Sequence, residues 1–137
     1  MRVLLDTNIL IDVLTQRAPF YTDSARIWTL AEQGQLSAHI SAISFNNIYY
    51  VVRRLSNRSS ADRMMVLLRD IFTTITLDQK ILNQAIDAGF TDFEDAIQYF
   101  SALHAQVDFI ISRDVKGFPD SAVKVLTPKE FLAAHNR

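Results

Sequence analysis

The sequence alternates short apolar, β-branched runs with longer segments whose apolar residues recur at helical spacing. The short runs predict five strands, at residues 2–6, 36–40, 73–77, 109–112 and 123–126. Strands that are joined through helices pair in parallel, and their right-handed crossovers cover both faces of the sheet. We therefore predict an α/β fold, a three-layer α/β/α sandwich with a central, mostly parallel sheet of about five short strands.

Most of the predicted helices begin at a residue whose side chain can accept hydrogen bonds from free backbone amides. The predicted capping residues are Thr7 or Asn8, Ser41 or Ser44, the Ser59-Ser60-Ala61-Asp62 segment, Asp78, and Thr127 before Pro128. A further helix is predicted from Phe93 to Ala105. The intervals between the first four strands thus each hold one or two helices.

The composition fits one domain over residues 1–137, since 49% of the 137 residues are hydrophobic and no linker is visible. The chain has no cysteine, which excludes disulfides and thiolate metal sites. It shows neither a secretion signal nor a membrane-length apolar run, so we expect a soluble cytoplasmic protein. The formal net charge is −1, so any contact with nucleic acid must be local or mediated by a metal.

Three aspartates stand where strands give way to helices or loops. Asp6 follows the first strand, Asp114 follows the strand at 109–112, and Asp95 opens an apolar helix. Ligands in parallel sheets bind beyond the carboxyl ends of the strands, so we expect these carboxylates to meet there. Singly, each has a plainer explanation, as a turn or cap residue, a favourable charge in a first helical turn, or a loop residue. Together they predict a metal site.

Clustered carboxylates repel one another unless a cation neutralises them, and oxygen ligands select Mg²⁺ or Mn²⁺. A cation of this kind can activate water and neutralise charge on a phosphodiester, which predicts hydrolysis of a nucleic-acid backbone. Thr7, Asn8 and Ser112 are predicted to orient the carboxylates or water by hydrogen bonds. The three histidines are scattered, and we expect them to be structural or surface residues.

Other phosphate chemistries fit the sequence less well. A haloacid-dehalogenase-type phosphatase requires a second Asp at position 8, where this chain has Asn8. A receiver domain requires an acidic pair after the first strand, and Asp78 is a weak candidate for its phosphorylated residue. With only 3 glycines in the chain, no glycine-rich phosphate loop is present.

Five segments, taken in order, resemble the PIN domain family: residues 3–10, 44–50, 92–98, 108–114 and 125–132. The resemblance implies an α/β/α fold and a Mg²⁺- or Mn²⁺-dependent ribonuclease. Many small members are VapC-type toxins, dimeric and inhibited by an antitoxin that inserts into the active-site groove. The resemblance makes Asp6, Asp95 and Asp114 the metal-binding acids, with Ser112 as a positioning hydroxyl.

The chain departs from the family pattern at two places. Asn47 stands where active members usually carry glutamate, and an amide oxygen can coordinate or orient water without bringing charge. Similar relatives often have an acid at position 117 and Asn at position 114, where this chain has Gly117 and Asp114. Asp92 and Glu94 are nearby reserve acids, although we expect Glu94 to point away from Asp95.

Two functions follow from these residues. The first is an endoribonuclease that cleaves single-stranded RNA, the toxin of a toxin–antitoxin pair, with Asn47 in its catalytic site. The alternative is a catalytically weakened module that binds nucleic acid or protein. In either case the predicted RNA-binding residues are Arg53, Arg54, Arg113 and Lys116. Restoring the charge with Asn47→Glu is expected to give a moderate gain in cleavage.

Overall fold

The computed structural model describes residues 1–135. Its five strands are β1 (Arg2–Leu5), β2 (Ser37–Ser41), β3 (Thr73–Ile75), β4 (Phe109–Ile111) and β5 (Lys124–Leu126). They form one sheet in the order β3-β2-β1-β4-β5, and every adjacent pair is parallel. The predicted α/β fold with a parallel five-stranded sheet is therefore confirmed.

The helices that connect the strands are α1 (Thr7–Leu14), α2 (Tyr21–Glu32), α3 (Ala42–Leu55), α4 (Arg58–Ile71), α5 (Gln79–Asp87), α6 (Phe93–Ala105) and α7 (Pro128–His135). A 3₁₀ turn, Val115–Gly117, follows β4. Within residues 1–135, no helix combines the length and the apolar character that crossing a bilayer requires.

Two helix starts differ from the prediction. The N-cap of α1 is Asp6 rather than Thr7 or Asn8, because the Asp6 carboxylate accepts a hydrogen bond from the Thr7 amide. The N-cap of α4 is Asn57, whose side-chain oxygen accepts a hydrogen bond of 2.8 Å from the amide of Ser60. In both helices an Asn or Asp just before the predicted start satisfies a free amide of the first turn.

Alternate residues of β1 bury their side chains on opposite faces of the sheet. Val3 and Leu5 belong to a core that includes residues of α1, α2, α3, α4 and α7. Leu4 lies on the other face, in a core with Ile110 of β4 and Ala102 of α6. Each of these leucines removes a side chain from water, which stabilises the fold by about 1.5–3 kcal/mol. The central strand therefore lies between two helical layers.

The carboxyl ends of β1 and β4 lie side by side, and this arrangement positions the candidate site. The amide of Asp6 donates a hydrogen bond of 3.0 Å to the carbonyl of Ile111, one residue beyond the end of β1. The amide of Ser112 likewise donates to the carbonyl of Leu126, at 3.0 Å. Asp6 and Ser112 are thus held at the same edge of the sheet by backbone hydrogen bonds that extend the strand pairing.

Candidate metal centre

Asp6 is a buried carboxylate whose two oxygens have different partners. Its Oδ1 accepts a hydrogen bond of 2.8 Å from the Thr7 amide, and its Oδ2 accepts one of 2.7 Å from the Ser112 hydroxyl. The Asn8 side chain donates to the same Oδ2 at 3.4 Å. The pKa of Asp6 is raised to about 6, chiefly by burial and to a smaller extent by the charge of Glu94, while the bonds from Ser112 and Thr7 oppose the rise. These donors orient the carboxylate without neutralising it.

Asp95 and Asp114 approach each other across Gly117. A β-carbon placed on Gly117 would lie 2.5 Å from Oδ2 of Asp95 and 3.2 Å from Oδ2 of Asp114. Asp95 is held from α6, where its amide donates to the Asp92 carboxylate at 3.0 Å. The amide of Asp114 donates to the Ser112 hydroxyl at 3.1 Å. Glycine at position 117 therefore leaves room for both carboxylates, and a side chain at this position would require the Asp95 carboxylate to move.

Five carboxylates share this edge of the sheet. The pKa of Asp95 is raised to about 7, first by burial and then by the charges of Asp6, Asp92, Asp114 and Glu94. The structure thus brings Asp6, Asp95 and Asp114 together from β1, α6 and the segment after β4. Their predicted role as metal ligands remains a prediction.

In the described conformation the acids are neighbours but do not share one point. Among residues 1–135, no three Asp, Glu or His side chains converge closely enough to hold a single ion. Repulsion between like charges favours this separation, and Oδ2 of Asp6 is bonded to Ser112. The donor set still fits Mg²⁺ or Mn²⁺, because all its charged groups are carboxylates and Gly117 leaves space between two of them.

A groove of about 390 Å³ opens beside Asp95 and Asp114. Its lining includes Asp92, Asp95, Asp114, Gly117 and one cation, Lys116. A phosphate that entered the groove would meet concentrated negative charge, so a bound cation is needed to make the groove attractive to a nucleic-acid backbone.

Glu94 contacts α1 and α3, and its charge acts on Asp6, so it belongs to this group of acids. Its Oε1 accepts hydrogen bonds from the Thr7 hydroxyl at 2.9 Å and from the Asn47 amide at 2.6 Å. Since Thr7 donates to Glu94, its hydroxyl accepts from Gln98 at 3.1 Å and is bonded to Ser44 at 2.7 Å. Thr7 therefore links α1, α3 and α6 beneath the carboxylates.

Glu94 and Asp12 have larger roles in this region than the sequence predicts. Glu94 was predicted only as a reserve acid, because the sequence does not show that Thr7 and Asn47 approach it from other elements. Asp12 was overlooked, although an acid within the apolar stretch of α1 indicates a buried charge that needs a cationic partner. That partner is Arg113, whose Nε lies 2.7 Å from Oδ2 of Asp12.

The four basic residues predicted to bind RNA do not form one surface. Lys116 lines the groove, whereas the Arg113 guanidinium pairs with Asp12. Arg53 and Arg54 are exposed near the C-terminus of α3, about 9 Å along the helix from Asn47. Lys116 is thus the predicted RNA-binding residue that lies beside the acids, and contact by Arg53 and Arg54 stays a prediction.

Comparisons with known proteins indicate the family and the fold of this chain. A family model described as "PIN domain" matches residues 2–116. The structure is similar to a toxin–antitoxin complex from Klebsiella pneumoniae, with 23% identity, a TM-score of 0.70 and coverage of 92% of this chain and 97% of that chain. VapBC-1 from nontypeable Haemophilus influenzae matches with 18% identity, a TM-score of 0.70 and coverage of 94% and 99%.

A third similar structure is VapC20 of Mycobacterium tuberculosis, described as a sarcin–ricin loop cleaving toxin. It shares 12% identity over 79% of this chain and 86% of that chain, with a TM-score of 0.64. No curated protein matches the sequence. At these identities the solved structures establish the fold.

Proposed function

Because the chain belongs to the PIN domain family, we propose that it is a divalent-metal-dependent endoribonuclease that cleaves single-stranded RNA. The observation that supports this proposal most directly is the crowding of Asp6, Asp92, Glu94, Asp95 and Asp114 at one edge of the sheet. A fold gains nothing from such crowding unless a cation or a reaction requires it.

In this proposal Asp6, Asp95 and Asp114 hold Mg²⁺ or Mn²⁺. When bound, the cation neutralises charge on the phosphodiester and favours ionisation of a water. Ser112 fixes two of the three acids, since its hydroxyl donates to Asp6 and accepts from the amide of Asp114. Lys116, on the lining of the groove, attracts the phosphate backbone of the RNA.

We propose that Asn47 has a second role besides the predicted one, in which its amide oxygen coordinates or orients water. Its side-chain nitrogen donates to Glu94, so Asn47 positions that carboxylate. We propose that Glu94, carried on α6, supplies the negative charge that the third helix lacks. The charge thereby remains in the site although it comes from a different element.

The likeness to toxin–antitoxin complexes extends the proposal to partners. We propose that the protein is a toxin, acts in the cytoplasm as a homodimer and is inhibited by a cognate antitoxin. The rival function is a PIN fold that binds RNA or protein without cleaving it, and the loss of charge at Asn47 favours that function.

Incubation of the purified protein with single-stranded RNA, in Mn²⁺, in Mg²⁺ or in EDTA, tests the proposal. We expect cleavage with either cation, none in EDTA, and none with Asp6→Asn. Asp62→Asn, which removes an exposed acid from α4, serves as the control and should cleave like the wild type. If the folded wild type leaves RNA intact with both cations, and the wild type and Asp6→Asn bind RNA equally well, the rival function of binding without cleavage would be established.

A further inference from the structure

Asp12 and Arg113 form an ion pair that lies next to the candidate site without belonging to it. The Asp12 side chain, on α1, is completely buried. Its Oδ2 lies 2.7 Å from Nε of Arg113, although the N–H group is not aligned for a regular hydrogen bond. Within residues 1–135, Oδ1 of Asp12 has no hydrogen-bond partner. This carboxylate therefore depends on Arg113 for its principal stabilising contact.

Stability alone does not explain a buried pair at this place. Burial raises the pKa of Asp12, and the positive charges of Arg113 and then Arg17 oppose that rise. An apolar residue at position 12 would match the isoleucines, leucines and valine around it in α1. Replacing a buried ion pair by well-packed apolar residues is often neutral or stabilising. An ion pair of this kind fixes the distance and orientation between the two segments that carry it more strictly than apolar contacts do.

Arg113 is held by α1 at two points and by an aromatic ring. Its backbone amide donates to the Asn8 side chain at 3.5 Å, and its guanidinium pairs with Asp12 one turn further along the same helix face. The guanidinium carbon also lies 4.2 Å from the centre of the Phe20 ring. The segment after β4 is therefore attached to α1 through Arg113.

The residues on either side of Arg113 are the ones that form the site. Ser112 donates to the Asp6 carboxylate and accepts from the Asp114 amide. Asp114 lies across Gly117 from Asp95. Any shift of Arg113 relative to α1 would therefore change the separation between Asp6, at the start of α1, and Asp114.

We propose that Asp12 and Arg113 are a positioning pair that holds residues 112–114 against α1 and so sets the spacing of the metal-binding carboxylates. This inference rests on the proposed metal site. In this inference Arg113 positions the site residues, whereas the sequence predicted that Arg113 contacts RNA.

Mn²⁺ affinity and thermal stability, measured together, test the positioning pair. Asp12→Asn removes the charge, and we expect Mn²⁺ affinity to fall about tenfold, the lower end of the effect of groups that orient metal ligands. The double variant Asp12→Leu, Arg113→Met removes both charges and retains apolar bulk, so its Tm should be close to that of the wild type. Its Mn²⁺ affinity should nevertheless remain about tenfold weaker than that of the wild type.

Leu68→Ala is the matched control, because Leu68 is fully buried on α4 and that helix contributes no residue to the site. We expect this variant to lower Tm and to keep the wild-type Mn²⁺ affinity. Recovery of both Tm and Mn²⁺ affinity in the double variant would overturn the positioning role, as would unchanged affinity in Asp12→Asn.

Amide hydrogen exchange separates a failure of this inference from a failure of the proposed function. If the wild type does not bind Mn²⁺, the metal site is wrong, but the amide of Asp114 still reports on the segment. We expect Asp114 to exchange about tenfold faster in the double variant than in the wild type. Equal exchange of Asp114 in those two proteins would exclude the positioning role whatever the metal result.

Discussion

The Asp95→Asn variant is expected to unfold at a higher temperature than the wild type in EDTA at pH 8, and to lose RNA cleavage in Mn²⁺. Burial and four neighbouring acids raise the pKa of Asp95 to about 7, so its ionised form is disfavoured in the folded state. An amide of the same shape removes that repulsion. Discounted for partial exposure, the gain is about 1 kcal/mol, or about 3 °C in Tm.

The pH dependence of this gain follows from the sign of the shift. The folded protein binds the proton of Asp95 more tightly than the unfolded chain, so Asp95 costs stability as the pH rises from about 4 to 7. The advantage of Asp95→Asn should therefore be absent below about pH 4 and complete above pH 7.

Activity should change in the opposite direction. Groups that only orient metal ligands contribute about 10–100-fold, so loss of a proposed ligand should reduce cleavage by at least about 100-fold. Thermal unfolding in EDTA and RNA cleavage in Mn²⁺ measure the two effects, with Asp62→Asn as the control for loss of one surface charge. If Asp95→Asn is less stable than the wild type in EDTA, Asp95 is not destabilised by the neighbouring acids. If it cleaves RNA as well as the wild type, Asp95 is not a metal ligand.

The double variant Asn47→Glu, Glu94→Gln is expected to regain the stability and the RNA cleavage that Asn47→Glu alone loses. The sequence alone predicts a gain from Asn47→Glu, but the Asn47 nitrogen lies 2.6 Å from Oε1 of Glu94. A carboxylate at position 47 would replace this donor by a second charged acceptor. We therefore expect Asn47→Glu to destabilise the protein by about 2 kcal/mol and to lower cleavage.

Glu94→Gln in the same chain should reverse both losses, because its amide can donate to the carboxylate introduced at position 47. Glu94→Gln alone should fold and cleave about tenfold less, since it removes charge from the site. Cleavage rates and Tm values of the four proteins form a double-mutant cycle that isolates the coupling. Additive effects in this cycle would mean that Asn47 and Glu94 act independently and that Glu94 does not substitute for the acid missing from position 47.

The sheet was predictable because its determinants are local. Each strand is a short apolar run, and the helices between strands leave parallel pairing as the arrangement that buries both faces. The cap of α1 is also a local feature. Thr7 or Asn8 was predicted there, and a cap was only the plainer alternative for Asp6, which does cap the helix through its Oδ1. The other oxygen, Oδ2, accepts a hydrogen bond from Ser112, so capping does not exclude the proposed metal role.

The details of the site were less predictable because they depend on how the helices face one another. Asp6 and Asp114 were predicted because each follows a strand, and Asp95 because it lies at the start of a helix. The order of strands and helices determines that these positions lie at the same edge of the sheet. Glu94 could not be placed, since its partners Thr7 and Asn47 approach from α1 and α3. Arg113 resembled an exposed cation in the sequence, because the buried acid that pairs with it lies far away along the chain, on α1.

Titration of the metal-free protein with Mn²⁺ in a calorimeter, at pH 8 and at pH 5.5, tests directly whether these carboxylates bind a cation together. We expect saturable binding at pH 8, and affinity at least about tenfold weaker at pH 5.5, because the raised pKa values of Asp6 and Asp95 leave these groups largely protonated there. The double variant Asp6→Asn, Asp95→Asn should not bind. Equal Mn²⁺ binding by this variant and the wild type, or no binding by the folded wild type at pH 8, would contradict the metal site.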